Sequence, residues 1–199
     1  MRDYKFALNS NFGNLKALLP FALSQEQIGF AAQLRRAQFR ETPLDLKGRA
    51  AVLFGQVEID AALIGARGLI SLQDHITEIS QLCAQFDTVY FKPHPYSANS
   101  QEQALVLSQF ENIKRSTHNP YALLSASQVE VVASLTSSVL TEAPFFGKKA
   151  WALSNIWKSQ LDTPAYGIEL LSTAFWRALL GSMNTGQMSD RRLPSALPM

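Results

Sequence analysis

The chain has 199 residues, of which 47% are hydrophobic and 17% are charged, and its formal net charge is +2. This composition is that of an ordinary globular protein with room for one large or two small domains. The charge is too small to indicate a nucleic-acid partner, and the basic residues do not gather into one run.

The compartment follows from cysteine usage and from the absence of long apolar runs. Cys83 is the only cysteine, so no internal disulfide can form. It falls among the apolar positions of a predicted helix, which indicates a structural thiol. No signal-peptide pattern opens the sequence, and no run approaches the roughly 20 apolar residues of a membrane span. We therefore expect a cytoplasmic protein whose contact with a membrane, if any, is peripheral.

The first 48 residues differ in pattern from the rest of the chain. Ser24 and Gln27 form a capping box for a helix that is predicted to continue to Phe39. The flanking residues have no strand rhythm. We interpret residues 1–48 as a partly helical connecting segment.

From residue 49 onward, short apolar runs alternate with amphipathic stretches. This alternation predicts βαβ units and a parallel sheet, and hence one Rossmann-like α/β domain over residues 49–180. Residues 181–199 have no periodicity and are predicted to be a disordered tail. In chain order the expected strands are 50–55, 88–91, 113–116, 129–135 and 150–153, and the expected helices are 71–86, 100–110, 120–125, 138–146 and 165–180.

A histidine between two prolines follows the second predicted strand, in the run Lys92-Pro93-His94-Pro95. The prolines fix φ on both sides, so the His94 imidazole is held at the strand end with little freedom. An imidazole there can donate a hydrogen bond to a phosphate, and the Lys92 ammonium can complement its charge. The alternative is a loop histidine between two turn prolines and a solvated lysine.

A run of hydroxyls follows the fourth predicted strand. Thr136, Ser137 and Ser138 precede a helix, whose N-terminal amides and dipole favour an anion such as phosphate. Glu142 lies one turn further on and can accept two ribose hydroxyls. The alternative interpretation is that a serine caps the helix and that Glu142 complements the helix dipole.

The loop after the first predicted strand contains Asp60 between apolar residues. An acid in so apolar a setting needs a partner or a function. Asp60 either caps the following helix or acts as a nucleophile or base in glycosyl chemistry.

Together, three groups of residues resemble the nucleotide-sugar half of bacterial capsule and lipopolysaccharide glycosyltransferases, and most closely the retaining β-Kdo transferases that use CMP-Kdo. The resemblance covers about residues 45 to 180, and the order and spacing of the motifs carry most of it. The motifs are Phe54-Gly55-Gln56-Val57 with Asp60, Lys92-Pro93-His94-Pro95, and Thr136-Ser137-Ser138 with Glu142 and Phe146-Gly147-Lys148-Lys149.

The resemblance implies a GT-B fold, in which this chain corresponds to the C-terminal, nucleotide-binding domain. It implies that His94 and Ser137 or Ser138 hold the CMP phosphate and Glu142 the ribose. Asp60 would attack the Kdo anomeric carbon in a double displacement. Neither a metal nor a cofactor is implied beyond the donor substrate itself.

Two departures from the family pattern leave other functions open. Ala62 stands where the family often has serine, and the acceptor-binding domain is missing, so a separately encoded N-terminal half is an expected partner beside the glycan acceptor. The alternatives are a catalytically incomplete nucleotide-binding remnant or partner subunit, and a sialyltransferase-like enzyme that uses CMP-sialic acid.

Overall fold

A computed structural model describes residues 19–65, 68–97, 99–155 and 173–180. Three single turns of 3-10 helix that matter below are Ala61–Leu63, Gln73–His75 and Ala143–Phe146. The helices and strands in chain order are α1 (Gln25–Phe39), β1 (Ala50–Phe54), β2 (Ile64–Gly65), β3 (Gly68–Leu69), α2 (Ile76–Gln85), β4 (Thr88–Lys92), α3 (Gln101–Leu107), β5 (Ile113–Arg115), α4 (Pro120–Ser125), β6 (Val129–Ser134), α5 (Val139–Glu142), β7 (Lys149–Ala152) and α6 (Thr173–Leu180).

The central sheet has five parallel strands in the order β5-β4-β1-β6-β7. This order confirms the predicted Rossmann-like α/β fold. Strands β4 and β5 are added on one side of β1, and the later strands β6 and β7 are added on its other side, as in doubly wound sheets. The reversal between β1 and β6 is the position at which open α/β sheets bind their ligands, beyond the carboxyl ends of the strands.

The sheet is buried on both faces, as its apolar strands require. All five residues of β1 are buried. One face packs against α4 and α5, where Leu123 and Leu140 are fully buried, and the other face packs against α2, where Ile79 and Leu82 are fully buried. The helices therefore cover the sheet and leave its carboxyl edge to the loops.

Three predicted helices are shorter than expected. Helix α3 ends at Leu107 instead of residue 110, and the other two change geometry for local reasons. The stretch predicted as helix from residue 71 begins as a 3-10 turn, where Asp74 accepts hydrogen bonds from the backbone and hydroxyl of Ser71 at 2.8 and 3.0 Å. The helix predicted over 138–146 changes from α to 3-10 geometry near Pro144, which lacks a backbone donor. Gly147, with φ of 71°, ends that helix as predicted.

The short antiparallel hairpin of β2 and β3 was not predicted. Its ladder pairs Ile64 with Leu69 and Gly65 with Gly68. Gly68 has φ of 124°, a conformation that favours glycine. Two residues per strand give too little alternation for a sequence pattern to detect.

Helix α1 packs against α4 within the compact unit formed by residues 25–161. Ala32 of α1 is buried, and Phe39 stacks on Tyr121 with ring centroids 6.5 Å apart. Helix α6 belongs to a second unit, and the rest of the predicted final helix and the tail lie outside the described residues. The domain limits therefore stay a prediction.

None of the helices in the described part of the chain is both long and apolar enough to cross a bilayer.

Candidate functional site

Three loops leave the same edge of the sheet, at the carboxyl ends of adjacent strands. Phe54, the last residue of β1, pairs with Lys92 at the end of β4 and with Ser134 at the end of β6. Neighbouring strands lie about 4.8 Å apart, so the ends of β4 and β6 are separated by about 10 Å across β1. The three sequence motifs therefore begin side by side, within the span of one nucleotide.

Gln56 joins the loop after β1 to the loop after β6. Its Nε2 donates to Thr136 Oγ1 at 2.8 Å, and the Thr136 backbone N–H donates to Gln56 Oε1 at 2.7 Å. Ser134 Oγ also donates to the Phe54 carbonyl at 2.9 Å. Gln56, Ser134 and Thr136 are all buried, so these hydrogen bonds are formed out of competition with water. The network fixes the two loops at the strand-order reversal.

Gly55 and Gln103 extend this link toward β4 and α3. The Gly55 N–H donates to the Lys92 carbonyl at 2.9 Å, and Gln103 Nε2 donates to the Gln56 carbonyl at 3.0 Å. A Cβ at position 55 would lie 2.8 Å from Phe91 Cζ, closer than side chains tolerate. The sequence thus needs a glycine here because the backbone lies against the buried Phe91 ring.

His94 is half-buried and carries a defined hydrogen bond on one ring nitrogen. Its Nδ1 accepts from the Tyr96 backbone N–H at 3.2 Å, and the Tyr96 ring centroid lies 5.4 Å away. Because Nδ1 acts as an acceptor, the proton of the neutral imidazole is assigned to Nε2. His94 can therefore donate from Nε2 to an anion while the backbone holds the ring in place.

Lys92 is half-buried beside the same loop. Its Nζ donates to the Thr117 carbonyl at 3.4 Å. Burial lowers the pKa of Lys92, and the nearby positive charge of Arg115 lowers it further. Both effects disfavour the charged ammonium form of Lys92. A neighbouring anion would favour that form and so offset them.

The two serines of the third motif differ in their hydrogen bonds. Ser137 Oγ accepts from the Val139 backbone N–H at 3.4 Å, a long capping contact. Ser138 is exposed, and its side chain makes no capping hydrogen bond. Helix capping thus accounts for Ser137, whereas the Ser138 hydroxyl faces solvent at the start of α5, and the half-buried Glu142 ends that helix.

Asp60 caps the 3-10 turn that follows it. Its Oδ1 accepts from the Ala62 N–H at 2.9 Å, and its carbonyl accepts from the Leu63 N–H at 2.9 Å. The capping role considered from the sequence is therefore present. A carboxylate has a second oxygen with its own lone pairs. The half-buried Asp60 can therefore cap the turn through Oδ1 and still use Oδ2 toward a ligand.

The structure brings the loops after β1, β4 and β6 to one edge, whereas Phe146-Gly147-Lys148-Lys149 lies at the start of β7, at the opposite edge. It does not test the roles assigned to Asp60, Lys92, His94, Ser137, Ser138 and Glu142, which stay predictions. Sequence reasoning assigned no role to Gln56 or Gln103. For Gln56 one signal was available, namely its position directly after an apolar strand and a glycine. A buried amide in that position must form hydrogen bonds, so it indicates a structural link.

Cys83 lies on α2, away from these loops, and packs partly against the core. Burial raises the pKa of its thiol to about 11. The thiol therefore stays protonated at neutral pH, in agreement with the predicted structural role.

Two cavities differ in their relation to this edge. The larger, about 610 Å³, lies between α1 and the segment from α4 to β6, at the amino edge of the sheet, and Arg36 and Arg40 contribute to its walls. The smaller, about 300 Å³, is lined by Gln56, Glu58 and Leu135 among others and adjoins the loop after β1. The smaller one is relevant to the site because ligands of open α/β sheets bind at the carboxyl edge.

No protein-family model and no curated protein matches the chain. Among solved structures it is similar to KpsC of Thermosulfurimonas dismutans, a beta Kdo 2,7 transferase, at 22% sequence identity and a TM-score of 0.42. The similarity covers 68% of this chain and 43% of that chain, so this chain spans less than half of the KpsC structure. A similarity this distant does not assign an activity.

Proposed function

We propose that this chain is the donor-binding part of a glycosyltransferase that binds CMP-Kdo and transfers Kdo with retention to a capsule or lipopolysaccharide glycan. The observation that carries the proposal is the pairing of Phe54 with both Lys92 and Ser134. It sets the loops of three CMP-Kdo-transferase-like motifs next to one another at the ligand-binding edge of the sheet.

The donors at this edge suit a phosphate. His94 offers its Nε2–H because Nδ1 is engaged by Tyr96, and Ser138 offers a hydroxyl that does not cap its helix. Lys92 supplies a positive charge that an anion would stabilise. In this proposal His94 and Ser138, with Ser137, hold the CMP phosphate, and Glu142 accepts hydrogen bonds from the ribose.

Asp60 is proposed as the nucleophile of a double displacement. A carboxylate oxygen attacks the anomeric carbon of Kdo while the bond to the CMP phosphate breaks and its electron pair leaves with CMP. An acceptor hydroxyl then attacks the same carbon, its proton passes to solvent, and the bond to Asp60 breaks with its electron pair returning to the carboxylate. Two inversions give net retention, and the chemistry requires no cofactor.

The acceptor has to be held by a surface beyond this chain's donor domain. Transfer requires the acceptor oxygen within about 3 to 3.5 Å of the anomeric carbon. We propose that a separate N-terminal half, acting at the cytoplasmic face of the inner membrane, supplies that surface.

One observation favours a second candidate, a nucleotide-binding remnant or partner subunit without catalysis. Asp60 already caps a turn through Oδ1, which is a sufficient structural reason for an acid at this position. In that case Asp60→Asn leaves any turnover of CMP-Kdo unchanged, whereas a nucleophile would lose it.

Isothermal titration of the full chain with CMP, UDP and GDP tests the proposal. We expect CMP to bind and UDP and GDP to bind at least tenfold more weakly. A preference for UDP or GDP would exclude the Kdo donor. Turnover of CMP-sialic acid in place of CMP-Kdo would instead identify a sialyltransferase-like enzyme.

A further inference from the structure

The cavity of about 300 Å³ adjoins the loop that carries the proposed nucleophile, Asp60. Ile59 and Leu63, on either side of Asp60 in sequence, both contribute to its lining. Its other walls come from the loop after β1, the β2–β3 hairpin and α3, through Glu58, Leu69 and Gln103 respectively. A volume of this size is at the lower end of small-ligand sites and suits a single sugar.

The charge of the lining selects against an anion. Its polar members are Gln56, Glu58, Ser71 and Gln103, and the remaining lining residues are apolar. Glu58 carries a negative charge, and no lysine, arginine or histidine is among the residues described around this cavity. A carboxylate or phosphate would meet repulsion there, whereas hydroxyl groups would meet acceptors.

Gln103 contributes an amide oxygen that is buried but accepts no hydrogen bond within the described residues. The residue is 94% buried, since only 6% of its surface is exposed, and its Nε2 donates to the Gln56 carbonyl at 3.0 Å. Its Oε1 has no hydrogen-bond partner in the part of the chain that the structure describes. Buried amide oxygens are normally paired, so Oε1 is an unused acceptor in a side chain that helps to line the cavity.

Glu58 supplies a second acceptor at the rim. One of its carboxylate oxygens accepts a hydrogen bond from the Ser100 hydroxyl, which positions the side chain at the start of α3. Leu69, which also lines the cavity, is 53% exposed and offers an apolar surface. A lining that combines hydrogen-bond acceptors with apolar side chains matches the hydroxyls and the C–H face of a sugar.

We propose that this cavity binds the uncharged, hydroxyl-bearing part of the transferred sugar, with Glu58 and Gln103 accepting hydrogen bonds from its hydroxyls and Leu69 packing against its C–H face. The carboxylate of an acidic sugar is then directed away from the cavity, toward the side of the site that carries Lys92 and His94. This inference rests on the proposed function and adds the orientation of the donor sugar and two specificity-determining residues.

Surface plasmon resonance on the immobilised full chain tests this orientation, with short injections of CMP and of CMP-Kdo. The wild-type protein should bind CMP-Kdo about tenfold more tightly than CMP, because the sugar adds its own contacts. Leu69→Trp fills the cavity from its exposed rim and should remove this tenfold difference while CMP affinity stays within twofold of wild type. Glu58→Ala should reduce the difference to about threefold.

Leu105→Trp is the matched control, because Leu105 is 69% exposed on α3 and does not line the cavity. It should leave both affinities unchanged. A CMP-Kdo advantage that survives in both Leu69→Trp and Glu58→Ala would overturn the inference while leaving the proposed function intact. Equal binding of the two ligands to the wild-type protein would also overturn it. Failure of the wild-type protein to bind either ligand would overturn the proposed function, and this inference with it.

Discussion

The loops at the carboxyl edge of the sheet are held in two different ways. The loops after β1 and β6 are joined through buried side chains, with Gln56 and Thr136 hydrogen-bonded directly to each other. The loop after β4 carries His94 on a half-buried turn that is held mainly by backbone hydrogen bonds. The comparison suggests that the first pair of loops maintains the geometry of the edge, whereas the loop after β4 presents groups to a ligand.

The largest expected effect comes from breaking the buried link. Gln56→Leu removes the partners of the Thr136 N–H and hydroxyl and leaves them buried, which should lower the free energy of unfolding by about 2–4 kcal/mol, since each orphaned buried group costs about 1–3 kcal/mol. Urea denaturation measures the change. Gln81→Leu, on the exposed face of α2, is the control and should change stability little. Equal stability of Gln56→Leu and wild type would contradict a structural role for this network.

A change in the loop after β4 should affect binding and leave stability nearly unchanged. His94→Ala removes the proposed donor to the phosphate, so CMP binding should weaken by about 1.5–3 kcal/mol, the range for a hydrogen bond to a charged group. Isothermal titration gives the affinity, and urea denaturation of the same variant gives the stability. An unchanged CMP affinity would return His94 to the loop-histidine interpretation.

Gly55→Ala tests how closely the loop after β1 packs against β4. The new Cβ would lie 2.8 Å from Phe91 Cζ, and Phe91 is only 3% exposed, so the ring has no room to move. Overpacking of this kind costs about 1–3 kcal/mol. Gly29→Ala is the control because a Cβ there has no neighbour within 4 Å, and in a helix it should stabilise by about 0.5–1 kcal/mol. A stabilising Gly55→Ala would show that the Phe91 contact is readily relieved.

The smallest expected effect concerns Lys92, whose pKa lies below the ordinary lysine value of 10.5 because of burial and the charge of Arg115. The folded state therefore disfavours the ammonium, and this destabilisation applies at neutral pH and disappears as the pH rises through the lowered pKa toward 10.5. Lys92→Met should be slightly more stable than wild type at pH 7, by an amount that shrinks as the pH approaches 10.5, and should bind CMP more weakly. Denaturation midpoints across this pH range and one CMP titration check both parts. A variant less stable than wild type at pH 7 would reverse the sign of the argument.

The sheet could be predicted because its strands are short apolar runs buried on both faces. The run from Ala50 to Phe54 is apolar throughout and is bounded by Gly48 and Gly55, which is typical of a central parallel strand. The β2–β3 hairpin was not predicted because two-residue strands give no periodicity. The 3-10 turns also escaped prediction, since they depend on single contacts such as that between Ser71 and Asp74.

At the carboxyl edge the sequence singled out residues with a local backbone constraint and missed the link between the loops. A histidine between prolines is conspicuous in the sequence because the prolines constrain the backbone locally. Gln56 was part of the Phe54-Gly55-Gln56-Val57 motif, but its structural role could not be predicted, since its partners Ser134 and Thr136 are about 80 residues away and only the sheet order brings them together. Local backbone constraints can be predicted from neighbouring residues in the sequence. Hydrogen-bond networks between strands can be predicted only when the strand order and register are known.

A crystal structure of the chain with CMP tests the central claim most directly, because it measures whether one phosphate contacts two separate loops. The account predicts that a phosphate oxygen lies within about 2.7–3.2 Å of His94 Nε2 and that another lies within the same distance of the Ser137 or Ser138 hydroxyl. A phosphate that contacts only one of these loops, or that binds in the cavity between α1 and α4, would contradict it.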